Sequence, residues 1–329
     1  MKKITVIIPA YNAFQTISKT IESLENQDFD KDKFEVIIVD DGSRDNTKSI
    51  VDNFIKREKI NLRYLSQENR GPGFARNLGM ENAVGEIIAF TDADCIADRD
   101  WLSVIYKKII NDGEVVICGE TYTDDVVLFP WKMSPAGQNG IGANIAIDFR
   151  ELNDIRFSDK FRGFLGQDTD FLLRINEKGY PYKYVQEMKI MHPVNVYNLK
   201  KIICRCSSRK NEVILRKIYG KKVSSSFSFI FRPMIFDRIS PMTLILISLW
   251  ISLAILVIEG VIYETVVAAL VFILLFFVFF YKFLILNNPK KIPISFYDKI
   301  KTLLFLVVHV HLIVFYRLVG SVKFRYLLL

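Results

Sequence analysis

Cysteine is scarce in this chain. Its four residues, Cys95, Cys118, Cys204 and Cys206, show neither the spacing of a zinc site nor the framework of a disulfide-stapled secreted domain. Cys204-x-Cys206 is too tight for a typical structural zinc pair, so all four are expected to be reduced thiols in a cytosolic domain. No secretory leader is expected from the N-terminal stretch either. The apolar run in MKKITVIIPA is a few residues long and is ended by Pro9, which suits a buried strand. Nucleic-acid-reading motifs are missing too, although the formal net charge is +8. The excess is local: Lys200, Lys201, Arg205, Arg209, Lys210, Arg216, Lys217, Lys221 and Lys222 stand against one acid, Glu212. Without a groove-reading motif beside it, this run is expected to face anionic headgroups or the cytoplasmic loop space, not nucleic acid.

Charge itself is what residues 241–286 almost lack. PMTLILISLWISLAILVI (241–258) and TVVAALVFILLFFVFFYKFLIL (265–286) each approach the roughly 20 apolar residues that span a bilayer core. The loop between them, EGVIYE, has two acids and no Lys or Arg, whereas Arg232, Arg238, Lys290, Lys291, Lys299 and Lys301 lie outside. That asymmetry sets a hairpin with both ends cytoplasmic. A third apolar stretch, 302–322, either spans the membrane or lies in its interface. Its His309 and His311 are two apart and do not share a helix face, so they are not read as a metal pair. The expected organisation is a cytoplasmic catalytic domain over 1–199, a basic juxtamembrane linker over 200–239, a transmembrane hairpin over 240–286, and a cytoplasmic loop with a third membrane-associated or membrane-spanning helix over 287–329. The expected location is the cell membrane, multi-pass.

What is present in the first half is an alternation. ITVII (4–8), FEVIIVD (34–40), NLRYL (61–65) and EIIAF (86–90) are continuous apolar strand patterns. Between them lie amphipathic helix patterns, the first with Phe14, Ile17, Ile21 and Leu24 in register, the second opening at Asp45 as a plausible N-cap. Such a series predicts an α/β fold: a mostly parallel, Rossmann-like sheet with helices on both faces. VVICG (115–119) and GANIAID (142–148) add strands, FPWKMSPAGQNG (129–140) a loop, and 163–180 a helix ending at Gly179.

Ligands of such sheets bind beyond the carboxyl ends of the strands, and polar residues gather there. Strand one ends in Pro9-Ala10-Tyr11-Asn12, strand two in Asp40-Asp41-Gly42-Ser43, strand four in Thr91-Asp92-Ala93-Asp94. Asp92 and Asp94, two apart in extended chain, point to one side and repel unless a cation sits between them. A hard divalent ion, Mg²⁺ or Mn²⁺, suits that pair and a bound diphosphate; a solvated loop with Asp92 capping a turn is the alternative. Asp40 and Asp41 could accept from a nucleobase or ribose, or simply form an Asp-Gly turn. NRGPGFARNLG (69–79) is not a dinucleotide fingerprint, because Arg76 stands where the third glycine belongs. Arg76 could serve a sugar-nucleotide phosphate, lock the acidic strand ends, or lie on a helix surface.

PAYNA (9–13), VDDGS (39–43), NRGPGFARNLG (69–79), TDADC (91–95), GANIAI (142–147) and GQDTDFLLRINEKGY (166–180), in that order and spacing, resemble a family 2 glycosyltransferase of the GT-A fold over roughly residues 1–185. The resemblance implies an inverting transferase with a nucleotide-sugar donor, a UDP-sugar by family habit, and a divalent metal. Carried over, Pro9, Tyr11 and Asp41 line the base pocket with Asp40 beside it, Asp92 reaches the ribose or metal, and Asp94 ligates the metal. Asp168 takes the role of general base, and its position also suits a helix N-cap. Gln167 replaces the family's usual Glu. The Q-x-x-R-W motif of processive synthases is missing, which implies single additions. The membrane hairpin together with Asp168 implies a hydroxyl on a lipid-linked or surface-glycan acceptor. The alternatives are a polyprenyl-phosphate glycosyl synthase, in which a phosphate oxygen attacks, and an inactive sugar-nucleotide-binding scaffold. A nucleotidyltransferase would carry a Gly-rich, basic loop after strand one, which PAYNAFQ lacks.

Overall fold

The computed structural model describes residues 3–123, 132–133, 142–161, 166–208, 210–220 and 294–302, with single positions at 312, 315, 316, 319 and 323. The chain divides into two compact units, Met1–Asp124 with Ser134–Pro193, and Asp125–Met133 with Val194–Leu329.

In the first unit the alternating pattern folds as expected. Strands β1 (Ile4–Ala10), β2 (Phe34–Asp40), β3 (Leu62–Ser66) and β4 (Ile87–Phe90) run parallel in the order β3-β2-β1-β4. They are joined by α1 (Ile17–Glu25), α2 (Thr47–Ile55) and α3 (Pro72–Glu81). Ile17, Thr20, Ile21 and Leu24 bury one face of α1, the three-four spacing that a helix requires. Phe14 precedes that helix and is exposed. Pro72 takes the first position of α3, where its missing N–H costs nothing.

Beyond β4 the sheet becomes mixed. It continues through β8 (Ile145–Asp148), β6 (Val116–Tyr122), β9 (Lys183–Met191) and the two-residue β5 (Ile96–Ala97). β8 is antiparallel to both β4 and β6, β9 is parallel to β6, and β5 is antiparallel to β9. The expected mostly parallel sheet therefore describes its first half, and the second half is closed by non-local pairings. β9 was not anticipated from the sequence. Its buried Val185 and Met188 are three apart, which breaks the two-residue period of a strand, because the pairing with β6 shifts register between Gly119 and Glu120.

Side chains alternate across β1, so Ile4, Val6 and Ile8 enter one core and Ile7 another. The first core takes α1, α2 and α4 (Trp101–Tyr106). The opposite face takes α3 and α5 (Gln167–Glu177), where Phe157 stacks on Phe171 with ring centroids 4.1 Å apart and Phe90 meets both edge-on. Helices thus cover both faces. The directions of the strands bring five chain segments to one edge: the ends of β1, β2, β4 and β9, and the segment that enters β8.

In the second unit, β7 (Lys132–Met133) pairs with β10 (Asn195–Val196), followed by α6 (Leu199–Ser207) and α7 (Lys210–Tyr219). Ile202 and Cys206 of α6 are buried, while Leu199, Lys200, Lys201 and Ile203 are exposed. Among the described residues no helix is long and apolar enough to cross a membrane. The expected hairpin at 241–286, His309 and His311, and most of the loop at 129–140 lie outside the described residues.

Candidate active site

The loop after β1 is sewn to the loop after β2. Asn12 N donates to Ser43 Oγ (2.8 Å), Ala13 N to Thr47 Oγ1 (2.8 Å), and Arg44 N to Asn12 Oδ1 (2.8 Å). Asp45 accepts from Thr47 N rather than acting as the N-cap residue itself, which is Asn46. Tyr11, 53 % exposed, stands on this edge beside the end of β1, where Pro9 lies.

Asp40 and Asp41 are both buried and already engaged. Asp40 accepts from Tyr64 Oη (2.6 Å) and Ser43 N (2.7 Å). Burial first, and then this bond to Asp40, pushes the Tyr64 hydroxyl's pKa up. Asp41 accepts from Arg70 N and Gly71 N (both 2.8 Å) and from Gln67 Nε2 (2.7 Å). It holds the loop that leads into α3. The structure therefore gives these two acids the task of shaping the loops at this edge.

α3 delivers Arg76 beneath the crevice. Asn77 fixes the helix there by a reciprocal pair with the Phe157 backbone, Nδ2 to O at 2.9 Å and N to Oδ1 at 2.7 Å. Arg76 is 4 % exposed and forks onto two carboxylates: Nη2 to Asp92 Oδ1 at 2.8 Å and Nη1 to Asp168 Oδ1 at 3.1 Å. Nη2 also lies 3.3 Å from the Gly142 carbonyl, and the guanidinium sits over the Phe157 ring. Nε has no partner. Burial opposes the Arg76 charge, but Asp168 and Asp92 outweigh it and hold the guanidinium protonated. Burial also raises the Asp168 pKa; Arg76 pulls it down and Asp92 adds to the rise. The result is a carboxylate of enhanced basicity beside the acids of β4.

Asp168 is not the N-cap of α5. That position is Gly166, and among the described residues no side chain caps this helix. Asp168 lies in the first turn, against Gly142, whose φ of +87° favours glycine. A Cβ at Gly142 would land on Asp168 Oδ2. Gln167 does not stand in for a second acid. Its Nε2 donates to Phe161 O (2.7 Å), and its Oε1 lies where a Cβ on Gly73 would come within 2.9 Å. Asp170, also in the first turn of α5, is buried and paired with Arg174 at 2.8 Å.

The sequence reading missed His192. The β5–β9 pairing, Ile96 with Met191, brings the residue after β9 to Asp94. His192 Nε2 is 3.4 Å from Asp94 Oδ1, and its Nδ1 is 2.9 Å from the Pro193 carbonyl. With Nδ1–H donating to that carbonyl, Nε2 is the ring nitrogen that faces Asp94, the placement of a metal-ligating histidine. Asp94, Cys95 and His192 place ligand atoms within 4.8 Å of one another. The donor set, carboxylate oxygen with imidazole nitrogen, fits a divalent cation. Cys95 is buried; burial first, then Asp92 and Asp94, hold its thiol neutral. The signal available in the sequence was Met-His-Pro at the end of an apolar segment.

A parallel half-sheet, an acidic strand end with a histidine beside it, and a carboxyl of raised pKa tied to that strand end through Arg76 meet at one edge of the sheet. Residues 5–166, just under half of the chain, match the family described as glycosyl transferase family 2. The chain is 37 % identical over 144 residues to the poly(ribitol-phosphate) β-N-acetylglucosaminyltransferase TarS of Staphylococcus aureus strain Mu50, covering 43 % of this chain and 22 % of that protein. It is 41 % identical over 117 residues to glycosyltransferase AglE of Haloferax volcanii, covering 35 % and 38 %. It is 36 % identical over 121 residues to the GalNAc(5)-diNAcBac-PP-undecaprenol β-1,3-glucosyltransferase of Campylobacter jejuni, covering 36 % and 38 %. The matched segment thus spans well under half of each relative. In fold, the chain is similar to a mannosyltransferase of Pyrobaculum calidifontis solved with GDP-Man and Mn²⁺, with a TM-score of 0.53, 23 % identity, and coverage of 67 % of this chain and 65 % of that one.

Proposed function

We propose that this protein is an inverting, metal-dependent glycosyltransferase that moves one sugar from a nucleotide-sugar, a UDP-sugar by family habit, to a hydroxyl of a lipid-linked or surface-glycan acceptor. The observation that carries this reading is Asp168, a carboxyl whose pKa is raised, joined through Arg76 to Asp92 at the end of β4. In the reaction, Asp168 takes the proton of the acceptor hydroxyl. The acceptor oxygen bonds to the anomeric carbon as the bond from that carbon to the diphosphate oxygen breaks, and the nucleoside diphosphate leaves. Pro9 and Tyr11 line the base pocket, and Asp40 and Asp41 shape it from behind. Asp94, Asp92 and His192 would hold Mg²⁺ or Mn²⁺, which would offset the charge of the leaving diphosphate.

Supporting the acceptor class, one relative bears the name of an enzyme acting on an undecaprenol-linked saccharide and another the name of one acting on poly(ribitol-phosphate). The apolar stretches at 241–258 and 265–286, which together carry one charge, Lys282, and have basic flanks, support a membrane hairpin and a cytoplasmic catalytic domain at the cell membrane. Attack by a phosphate oxygen, the chemistry of polyprenyl-phosphate glycosyl synthases, needs little help from a base, so Asp168 favours the hydroxyl acceptor. The scaffold reading rested on Gln167, whose amide has packing duties of its own against Phe161 and Gly73.

A thermal-shift panel with UDP, GDP, CMP and ADP, each with and without Mn²⁺, tests the donor site. Stabilisation by one diphosphate that depends on Mn²⁺ is the expected result, followed by release of that nucleotide from its sugar donor when a lipid-linked glycan is added. No metal-dependent stabilisation by any of the four would contradict the reading.

A further inference from the structure

The sequence reading gave Arg76 a donor-phosphate role or a lock on the acidic strand ends. The geometry assigns it to the second, with a consequence for catalysis. The guanidinium is 4 % exposed, whereas the two carboxylates that it holds are 34 % (Asp92) and 25 % (Asp168) exposed. A phosphate contact would need the reverse, an accessible cation. Here the cation lies under the site and the acids face the crevice. Because a guanidinium is planar and rigid, its two terminal nitrogens set the separation of the carboxylates they bind, which an ammonium cannot do. The Gly142 carbonyl and the Phe157 ring fix the fork itself, and Asn77 fixes its helix.

We propose that Arg76 is a positioning residue that holds the base Asp168 at a set distance from the donor-side carboxylate Asp92, and that it does not bind the donor. This rests on Asp168 being the base. It also gives a reason for the absence of a side chain at Gly142: the space beside Asp168 is filled by the arrangement that Arg76 organises.

The test compares Arg76→Lys and Arg76→Ala with wild type, using UDP with Mn²⁺ as the binding probe and donor turnover as the rate. Arg76→Ala is expected to lower kcat about 10²-fold, the cost of a misplaced reacting group, with the UDP affinity changed by less than about threefold. Arg76→Lys should recover part of that rate, and guanidinium added to Arg76→Ala should recover part as well. A rise in the donor KM at unchanged kcat would overturn the proposal in favour of a donor-binding role. Equal losses in both variants, with lowered melting temperatures and no response to guanidinium, would overturn it in favour of a merely structural role. A crystal structure of Arg76→Ala reads the same point without turnover: Asp168 should leave its place against Gly142, and a carboxylate still in place would contradict the proposal. Absence of turnover in the wild type would count against the transferase reading, and the crystal structure would still decide the role of Arg76.

Discussion

The two halves of the sheet reach the same crevice by different means. The parallel half, β3-β2-β1-β4, is built from neighbouring strand and helix segments, and its functional groups follow directly at strand ends: Pro9, Tyr11, Asp40, Asp41, Asp92 and Asp94. The mixed half, β8-β6-β9-β5, is built from pairings between distant segments and delivers Gly142, Asp168 and His192. Under the proposed function, the first half makes the donor edge from local motifs, and the second supplies the base and the imidazole only once the long-range pairings are in place. Arg76, from the first half, ties the second to it.

If that division is right, damage to the second half should stop turnover while leaving nucleotide binding to the first. Gly142→Ala puts a Cβ onto Asp168 Oδ2 and is expected to lower kcat about 10²-fold with little change in UDP affinity, read by steady-state kinetics beside calorimetry. His192→Ala should act on the proposed cation site instead. Its expected effect is a loss of at least tenfold in Mn²⁺-dependent UDP affinity, with metal-free UDP binding unchanged, as measured by calorimetry with and without Mn²⁺.

Smaller effects are expected from the joint that sets the mixed half. Asn144 is fully buried. Its Oδ1 accepts from Trp101 Nε1 (2.9 Å), and its Nδ2 donates to the carbonyls of Met188 (2.8 Å) and Glu120 (2.9 Å), across the register shift between β6 and β9. Asn144→Ala leaves those groups unpaired and should cost about 1–3 kcal/mol of stability by urea unfolding. It should also weaken Mn²⁺ binding, because the register of β9 places His192. A loss of stability without any effect on the metal would separate the joint from the site.

The pH profile gives a further comparison. Burial raises the Asp168 pKa, and the base works only when ionised. The rate should therefore fall as pH is lowered through a midpoint above the ordinary aspartate value of about 3.9, and this limb should vanish from the residual activity of Asp168→Asn.

How far the sequence could be read follows the same division. Residues 4–90 announce four strands and their helices because each strand is a continuous apolar run with a helix pattern beside it, and the acids at their ends are visible as site candidates. Their tasks were less visible. Asp40 and Asp41 look open in sequence, but Tyr64, Gln67 and the Arg70 and Gly71 amides occupy them in the fold. His192 could not be placed because β9 lacks a two-residue period at its register shift, so neither the strand nor the edge to which it carries the histidine could be inferred. Asp168 was singled out through motif order, and Gly166 took the capping role that its position suggested.

The most direct test of a site assembled from two halves is Asp168→Asn, with UDP–Mn²⁺ affinity and nucleotide release from the sugar donor measured on the same preparation. The account predicts affinity within about threefold of wild type and turnover lower by about 10²–10⁴-fold. Turnover close to wild type would contradict it, because transfer would then need no base at Asp168.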